Sequence, residues 1–528
     1  MRILLVEPDY RRNARSRIEK ARKAKSSKGP DDESLWYPPL GLMKLATFHR
    51  MRGDEVKFVY GCNINLLDES LLFSSYDAWD RIYIATLFTY QWEPTKKTIE
   101  FYKRLAQGDI NNIFVGGIMA SLLPEKVVKE TGIYPIKGVI NSPHQIGLPG
   151  NANIDLLPPA YDILDNRLYA INDTYYAHTT RGCSNACEWC GVPIIEPGGI
   201  YYINIKENIL SLRECYGDKP KLKLMDNNIL ASDDLERIVE DLITLGYGRN
   251  DFTDTIIPKK RTIDFNQGLD ATYLTNDRMK LLSKLNIKPM RIAFDRIQDQ
   301  DEYVKALEIA KKYGVKSFSN YMLYNFNDTP KDLYERLMIN IKLNTKWRNK
   351  IGNPNASIYS YPMRYAPIHS TDSPTTINQK QVIYTHGGEK GNQQGMCNTI
   401  HWNSRFIRNV EVMKGVAHGS ISPTPSLAKR TIGGTYRQFV ANLYMPEELL
   451  RNRNKYERKV YKSEPKRNPG TGDIERFRSF ILNLIRQNNE RFTQFHKAIS
   501  QNKKTATKEY LAKCKDKEIT KWLRFYLK

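Results

Sequence analysis

Arg181-Gly182-Cys183-Ser184-Asn185-Ala186-Cys187-Glu188-Trp189-Cys190-Gly191 is where the cysteines of this chain gather; the other four of the seven, Cys62, Cys215, Cys397 and Cys514, are scattered. The stretch follows a run over 174–180 that reads as a strand and precedes a helical segment, so it occupies a loop at a strand's C-terminal end. In α/β barrels that end carries the chemistry. Three thiolates at C-x3-C-x2-C spacing can hold three irons of a cubane and leave the fourth iron without a protein ligand. Zinc is the alternative, but structural zinc takes four ligands, commonly from paired knuckles, and the chain has no second C-x2-C. Cys397 and His401 form a lone C-x3-H far along the sequence. Seven cysteines in 528 residues do not make a disulfide framework, so a reducing, cytoplasmic setting is expected.

Outward from the cluster the sequence alternates strand and helix signals. Downstream, 221–225, 262–265, 291–294, 317–323 and 357–361 read as strands, and 233–245, 277–285 and 301–313 carry apolar residues at helical spacing. With 174–180 this makes six strand units and predicts a partial β/α barrel over 172–370. Upstream, 3–6, 55–60, 81–85 and 112–117 read as strands; a helix opens near 37–46 behind Pro38-Pro39, and another lies near 93–106. These predict a doubly wound, Rossmann-like parallel sheet over 1–145, interrupted by a basic, serine- and lysine-rich insertion at 11–32. Pro149, Gly150, Pro158 and Pro159 mark 146–171 as a linker. Beyond 370 the pattern turns irregular and ends in basic helices from about 474, within a C-terminal region 371–528. The fold class is α/β, followed by a mostly helical tail.

Composition narrows the function classes. Hydrophobic residues are 41% and charged residues 26%, a globular balance. No run approaches the roughly 18 apolar residues of a membrane span, and the first residues do not read as a secretory signal, so no membrane partner is expected. The net charge of +23 is concentrated: residues 451–528 hold 22 basic against 8 acidic side chains, and residues 1–30 hold 10 against 3. Such surfaces suit a polyanion such as nucleic acid, although a solvated basic face gives the same counts. Trp402, Tyr436, Phe439 and Tyr444 lie among basic residues, where aromatics either stack on bases or build a core.

The cysteine stretch resembles the motif of the radical S-adenosylmethionine superfamily, C-x3-C-x-aromatic-C, with Trp189 as the aromatic residue. The resemblance implies a [4Fe–4S] cluster on Cys183, Cys187 and Cys190. It also implies S-adenosylmethionine at the unique iron, reductive cleavage to a 5′-deoxyadenosyl radical, and an electron donor such as flavodoxin or ferredoxin. Family members place cofactor-holding polar groups at later strand ends. By that resemblance Asp226 would take the methionine ammonium beside Asn227, Asn266 would lie over the cofactor, and Asp295 would replace a family glutamate. Tyr324 and Asn325 open the last such segment. Each of these is also an ordinary cap or turn residue.

The first 145 residues resemble the cobalamin-binding domain that precedes many of these barrels, through Tyr37-Pro-Pro-Leu-Gly-Leu42, Arg52-Gly-Asp-Glu-Val56 and Val115-Gly-Gly-Ile-Met-Ala-Ser121. The Asp-x-His-x-x-Gly loop that offers cobalt a histidine is absent; Pro8-Asp9-Tyr10-Arg11-Arg12 follows the first strand instead. Two readings stand: cobalamin held without the histidine, or a domain serving substrate or partner. The implied function is modification, methylation among the options, of a large and nucleic-acid-linked substrate. The alternatives are a peptide or small-molecule substrate, or a nucleic-acid-binding protein with a structural or redox-sensing cluster.

Overall fold

The apolar run near the N-terminus forms a strand, β1 (Arg2–Glu7), with Ile3, Leu4, Leu5 and Val6 fully buried. It pairs in parallel with β2 (Glu55–Tyr60) on one side and β3 (Arg81–Thr86) on the other, and β3 pairs with β4 (Ile113–Gly117). The order β2-β1-β3-β4 reverses direction beside β1, as in doubly wound sheets. Alternate residues of β1 serve different layers. Leu4 and Val6 pack with Ile84, Ile99, Tyr102 and Val127, whereas Ile3 and Leu5 pack with Leu42, Leu45 and Phe48. Each such side chain contributes roughly 1.5–3 kcal/mol on leaving water. Gly117 closes β4 at φ +106, where a Cβ would lie 2.4 Å from the Thr86 carbonyl oxygen. His49 is a core histidine, its Nδ1 2.7 Å from Asp54 Oδ2 and its Nε2 3.0 Å from the Tyr83 hydroxyl.

The computed structural model describes residues 1–10, 35–66, 79–106, 109–349, 351–352, 354–370, 401–460 and 471–528. The basic insertion at 11–32 and Cys397 lie outside the described residues. The described chain falls into two compact units, Met1–Lys288 with Ala366–Thr371, and Pro289–Tyr365 with Asp372–Lys528.

Within the first unit, the segment expected as a linker folds onto the sheet. Ile146, Leu148, Ile154 and Ala160 share the layer of Ile3 and Leu5, and the segment makes short turns at Ile154–Leu156, capped by Asn153, and at Tyr161–Ile163. A second parallel sheet follows, β5 (Thr174–Ala177), β8 (Lys221–Leu224) and β9 (Thr262–Phe265), in that order. The expected strand at 174–180 breaks at His178: β5 ends, and β6 (Thr180–Arg181) pairs antiparallel with β7 (Tyr201–Tyr202). The helix Leu235–Thr244 buries Leu235, Ile238, Val239 and Leu242, the stripe its spacing requires.

The second unit holds β10 (Met290–Arg291), β11 (Ser317–Tyr324) and β12 (Ser357–Arg364), again parallel. β10 is shorter than the expected 291–294, yet Ile292 and Phe294 still donate their N–H groups to Ser319 and Tyr321 carbonyls at 3.0 Å. The helix Pro330–Lys346 starts on a reciprocal cap between Thr329 and Asp332. Helices resume at Ser404, well before the expected 474, with Ser404–Lys414, Pro425–Ile432, Tyr436–Tyr444 and Glu447–Val460. Asn403 and Thr435 cap two of them, and Gly415, Gly419 and Gly433 separate them, so helices of 8 to 14 residues read as turns in the sequence. Thr471–Gln487, Glu490–Ser500, Lys504–Lys513 and Lys517–Phe525 complete the bundle. Phe439 and Tyr444 are 1% exposed and Trp402 5%, so these aromatics build the core and do not stack on bases. The expected fold class is the one observed: a doubly wound N-terminal sheet, parallel strand–helix units after it, and a helical C-terminal region. Among the described residues no helix is long and apolar enough to cross a membrane.

Candidate functional site

The cysteine loop runs from the end of β6 to the helix Val192–Ile195, as its sequence position implies. Its geometry is fixed at the first residue. Gly182 sits at φ +80, and a Cβ there would lie 1.8 Å from the Gly199 carbonyl oxygen, so only glycine fits. The Gly182 N–H donates to Glu196 Oε2 at 2.8 Å, and the same oxygen accepts from Asn227 Nδ2 at 2.8 Å. Glu196 Oε1 pairs with Arg181 Nη1, also at 2.8 Å. One carboxylate thus gathers the two residues before Cys183 and a residue just past the end of β8.

The network extends further. Arg181 makes a two-pronged contact with Asp155, through Nη2 at 2.6 Å and Nε at 2.9 Å, and Lys44 Nζ meets Asp155 Oδ1 at 2.8 Å. Side-chain exposure is 13% or less at Lys44, Asp155 and Arg181, and 10% at Glu196. Burial alone would raise the Asp155 carboxyl, but the Arg181 guanidinium and the Lys44 ammonium outweigh it and hold it well below the usual range. Burial lowers Lys44 despite its partner. Burial, helped by Arg181 and Lys44, keeps His178 neutral, and its Nδ1 has no hydrogen-bond partner.

The three cysteines form no disulfide and are partly exposed. Cys183 Sγ accepts the Asn185 N–H at 3.4 Å, and a turn links Cys190 N–H to the Cys187 carbonyl at 3.0 Å. Asn185 Nδ2 donates to Asp270 Oδ2 at 2.8 Å, and Asn228 Nδ2 lies 3.4 Å from the same oxygen. The loop is therefore tied to the segments after both β8 and β9. Among the described residues no three His, Cys, Asp or Glu side chains already stand together as a metal site. Trp189 is partly buried in that loop.

Asp226, just beyond β8, is 4% exposed. Its Oδ1 accepts from the Thr179 and Thr180 hydroxyls at 2.8 and 2.9 Å and from the Thr180 N–H. Its Oδ2 is buried without a partner. Burial raises its carboxyl above the usual range, against the pull of those threonines. An orphaned carboxylate oxygen is what an incoming cation requires. Asn266 is otherwise engaged: its Oδ1 accepts the Tyr37 hydroxyl at 2.8 Å, and Lys223 Nζ donates to that hydroxyl at 3.0 Å. Asn227 is committed to Glu196.

The remaining sequence candidates lie in the second unit. Asp295 Oδ1 accepts the Leu323 N–H at 2.7 Å, and the Tyr324 hydroxyl donates to Glu411 Oε1 at 2.7 Å. Asn325 is 1% exposed at φ +69 with both amide atoms unpartnered, a strained and unsatisfied residue of the kind that clusters at functional sites. Behind it, fully buried Arg336 donates to the Phe294, Asp295 and Leu323 carbonyls and to Asp328 Oδ2 at 2.8 to 3.0 Å. Burial pushes Asp328 up to about 6, opposed chiefly by Arg336. Sequence reasoning missed Lys44, Asp155, Glu196 and Arg336, whose partners are too distant in sequence for any local spacing to announce.

No family model matches the chain, and no curated protein matches it. Among solved structures it is similar to the cobalamin-dependent S-adenosylmethionine radical enzyme OxsB with aqua-cobalamin bound, and to the same enzyme with aqua-cobalamin and S-adenosylmethionine bound. Each alignment covers 99% of this chain and 83% of the other at 13% identity and a TM-score of 0.51. The likeness is one of fold.

Proposed function

We propose that this chain is a radical S-adenosylmethionine enzyme, with a [4Fe–4S] cluster on Cys183, Cys187 and Cys190 and a cobalamin-binding-like domain over 1–145. In this scheme 146–171 joins that domain to the barrel at 172–370, and 371–528 forms the basic C-terminal region. The observation that carries the reading is a C-x3-C-x2-C loop at a strand end, in a chain whose fold is that of a cobalamin-dependent radical enzyme over nearly its whole length. Bound there, such a cluster would supply the electron for reductive cleavage of S-adenosylmethionine at its sulfonium.

The chain's own residues divide the work of holding these groups. Cys183, Cys187 and Cys190 supply soft thiolate donors, and the Asn185 N–H directed at Cys183 Sγ is the kind of contact that tunes a cluster's potential. Asp226 presents its free Oδ2 to the methionine ammonium while Oδ1 anchors Thr179 and Thr180. Asn227 and Asn266 act as positioning residues through Glu196 and Tyr37. Trp189 supplies the aromatic wall of the loop, and Asp295, Tyr324 and Asn325 are the candidate strand-end residues of the second unit.

Anaerobic reconstitution tests the reading. It expects about four irons and four sulfides per chain, lost when the three cysteines become alanine. It also expects 5′-deoxyadenosine from S-adenosylmethionine under reduction, and the visible spectrum of protein-bound cobalamin. A reconstituted cluster that leaves S-adenosylmethionine intact would move the chain to the structural or redox-sensing class. Tetrahedral zinc in anaerobically purified protein would overturn the cluster.

A further inference from the structure

We infer that the paired helices Lys504–Lys513 and Lys517–Phe525 form a phosphate-reading surface for nucleic acid. The second helix is divided lengthwise. Ile519, Trp522 and Leu523 are buried, with Trp522 packed against Phe477 at 5.2 Å and Phe480 at 5.9 Å. Lys517, Lys521 and Arg524 recur at i, i+4 and i+7 and are exposed, as is Lys528, three residues past the helix end. At 1.5 Å per residue the helical stripe is about 10 Å long. A duplex strand passes about three phosphates over that distance, and Lys528 extends the array.

The neighbouring helix adds to the same face. Lys504 Nζ donates to the Lys528 carbonyl at 3.1 Å, which places the start of one helix beside the end of the other, and Lys508 follows one turn on from Lys504. Counter-charge is sparse. Glu518 is turned toward Arg491 at 3.7 Å, Lys528 lies 3.7 Å from Glu448, and Glu509 is the lone acid of Lys504–Lys513. Among the described residues Lys508, Lys517, Lys521 and Arg524 make no ion pair.

The stripe is held rigidly. Asp516 caps the helix by accepting from the Glu518 and Ile519 N–H groups at 3.0 and 3.1 Å, and Arg491 pins Asp516 at 2.6 Å. A fixed linear array of cations costs little to order on binding, which distinguishes it from a loose basic tail. An anionic membrane is a poor occupant, because an interfacial helix must bury its apolar face in lipid and this one already spends that face on the bundle. The core aromatics are not available for stacking, so contact is with the backbone and is indifferent to sequence. The fit to phosphate does not depend on the chemistry assigned to the cysteine loop.

The test uses the full chain and fluorescein-labelled RNA and DNA oligonucleotides, single-stranded and duplex, in anisotropy titrations from about 50 to 200 mM salt. Four phosphate contacts predict roughly a hundredfold loss of affinity over that range. Lys517→Gln, Lys521→Gln and Arg524→Gln together should weaken binding about ten- to a hundredfold at low salt and flatten the salt slope by about two to three. Neutralising the exposed Lys280, Lys284 and Lys288 instead should leave both quantities near the parent's, and circular dichroism confirms folding of both variants. Binding unaffected by the stripe variant overturns the inference, as does absence of salt-dependent binding. Preference for poly-glutamate over nucleic acid also overturns it and assigns the face to an acidic protein.

Discussion

The backbone N–H of Gly182 and the carboxylate of Glu196 meet at 2.8 Å, so the residue before the first cysteine hangs from a side chain beyond the last one. Glu196 also neutralises Arg181 in a poorly hydrated setting. Glu196→Ala leaves Arg181 with Asp155 alone, which Lys44 shares, and leaves the Gly182 N–H without its acceptor, so it should cost about 1–3 kcal/mol. It should also lower iron retention after reconstitution. Glu196→Gln keeps the acceptor for Gly182 and should retain more iron than the alanine variant, which iron assays and denaturant titration measure.

Gly182→Ala introduces a Cβ where the Gly199 carbonyl already stands and forces an L-residue into left-handed backbone. A loss of about 1–3 kcal/mol is expected from the conformation alone, with more from the clash. Iron content after anaerobic reconstitution should fall with it. A variant as stable and as iron-replete as the parent contradicts the steric account.

Asp226→Asn keeps an acceptor for Thr179 and Thr180 but removes the charge. S-adenosylmethionine affinity by calorimetry on the reconstituted protein should drop about tenfold or more, while the thermal midpoint moves little. Asp226→Ala should lose both affinity and stability. Equal affinity in the asparagine variant removes Asp226 from the ammonium site.

Acid stability should carry a signature of Glu130. The Lys126 ammonium, the Trp92 indole N–H and Lys96 hold its carboxyl down at about 2, from an ordinary value of 4.5. Because the folded value is depressed, the stabilisation is present above about 4.5 and disappears as pH falls through about 2. Glu130→Gln should therefore flatten the stability curve between those limits and lower stability at neutral pH. Equilibrium unfolding at stepped pH measures both.

Leu4 lies at the centre of the first sheet with no exposed surface. Leu4→Ala should cost about 2–5 kcal/mol. Denaturant midpoints with unchanged m-values would report it.

What could be read from the sequence followed periodicity. The β1, β2 and β9 segments emerged within a residue or so because alternating or continuous apolar residues leave a local trace. The cysteine loop was equally plain, since its three thiols are close in sequence. The C-terminal helices were not, because glycines and polar caps cut them into short pieces whose burial comes from one another. The buried ion network was invisible for a different reason. Lys44, Asp155, Arg181 and Glu196 are each unremarkable in their own neighbourhood, and only folding brings them within 3 Å. Asp226 stands just past a strand end, as its sequence position implies, but the commitment of one oxygen to Thr179 and Thr180 leaves no local trace.

The placement of Ile146, Leu148, Ile154 and Ala160 against the first sheet limits how this chain can be divided. A fragment ending at residue 145 would expose a bare apolar layer and strand Lys44 without Asp155, so it should aggregate when expressed alone. A fragment beginning at residue 146 would carry that layer uncovered and leave Asp155 with Arg181 only. Recombination between relatives is therefore expected to fail at the Pro-Gly signal near 149 that looks like the natural seam.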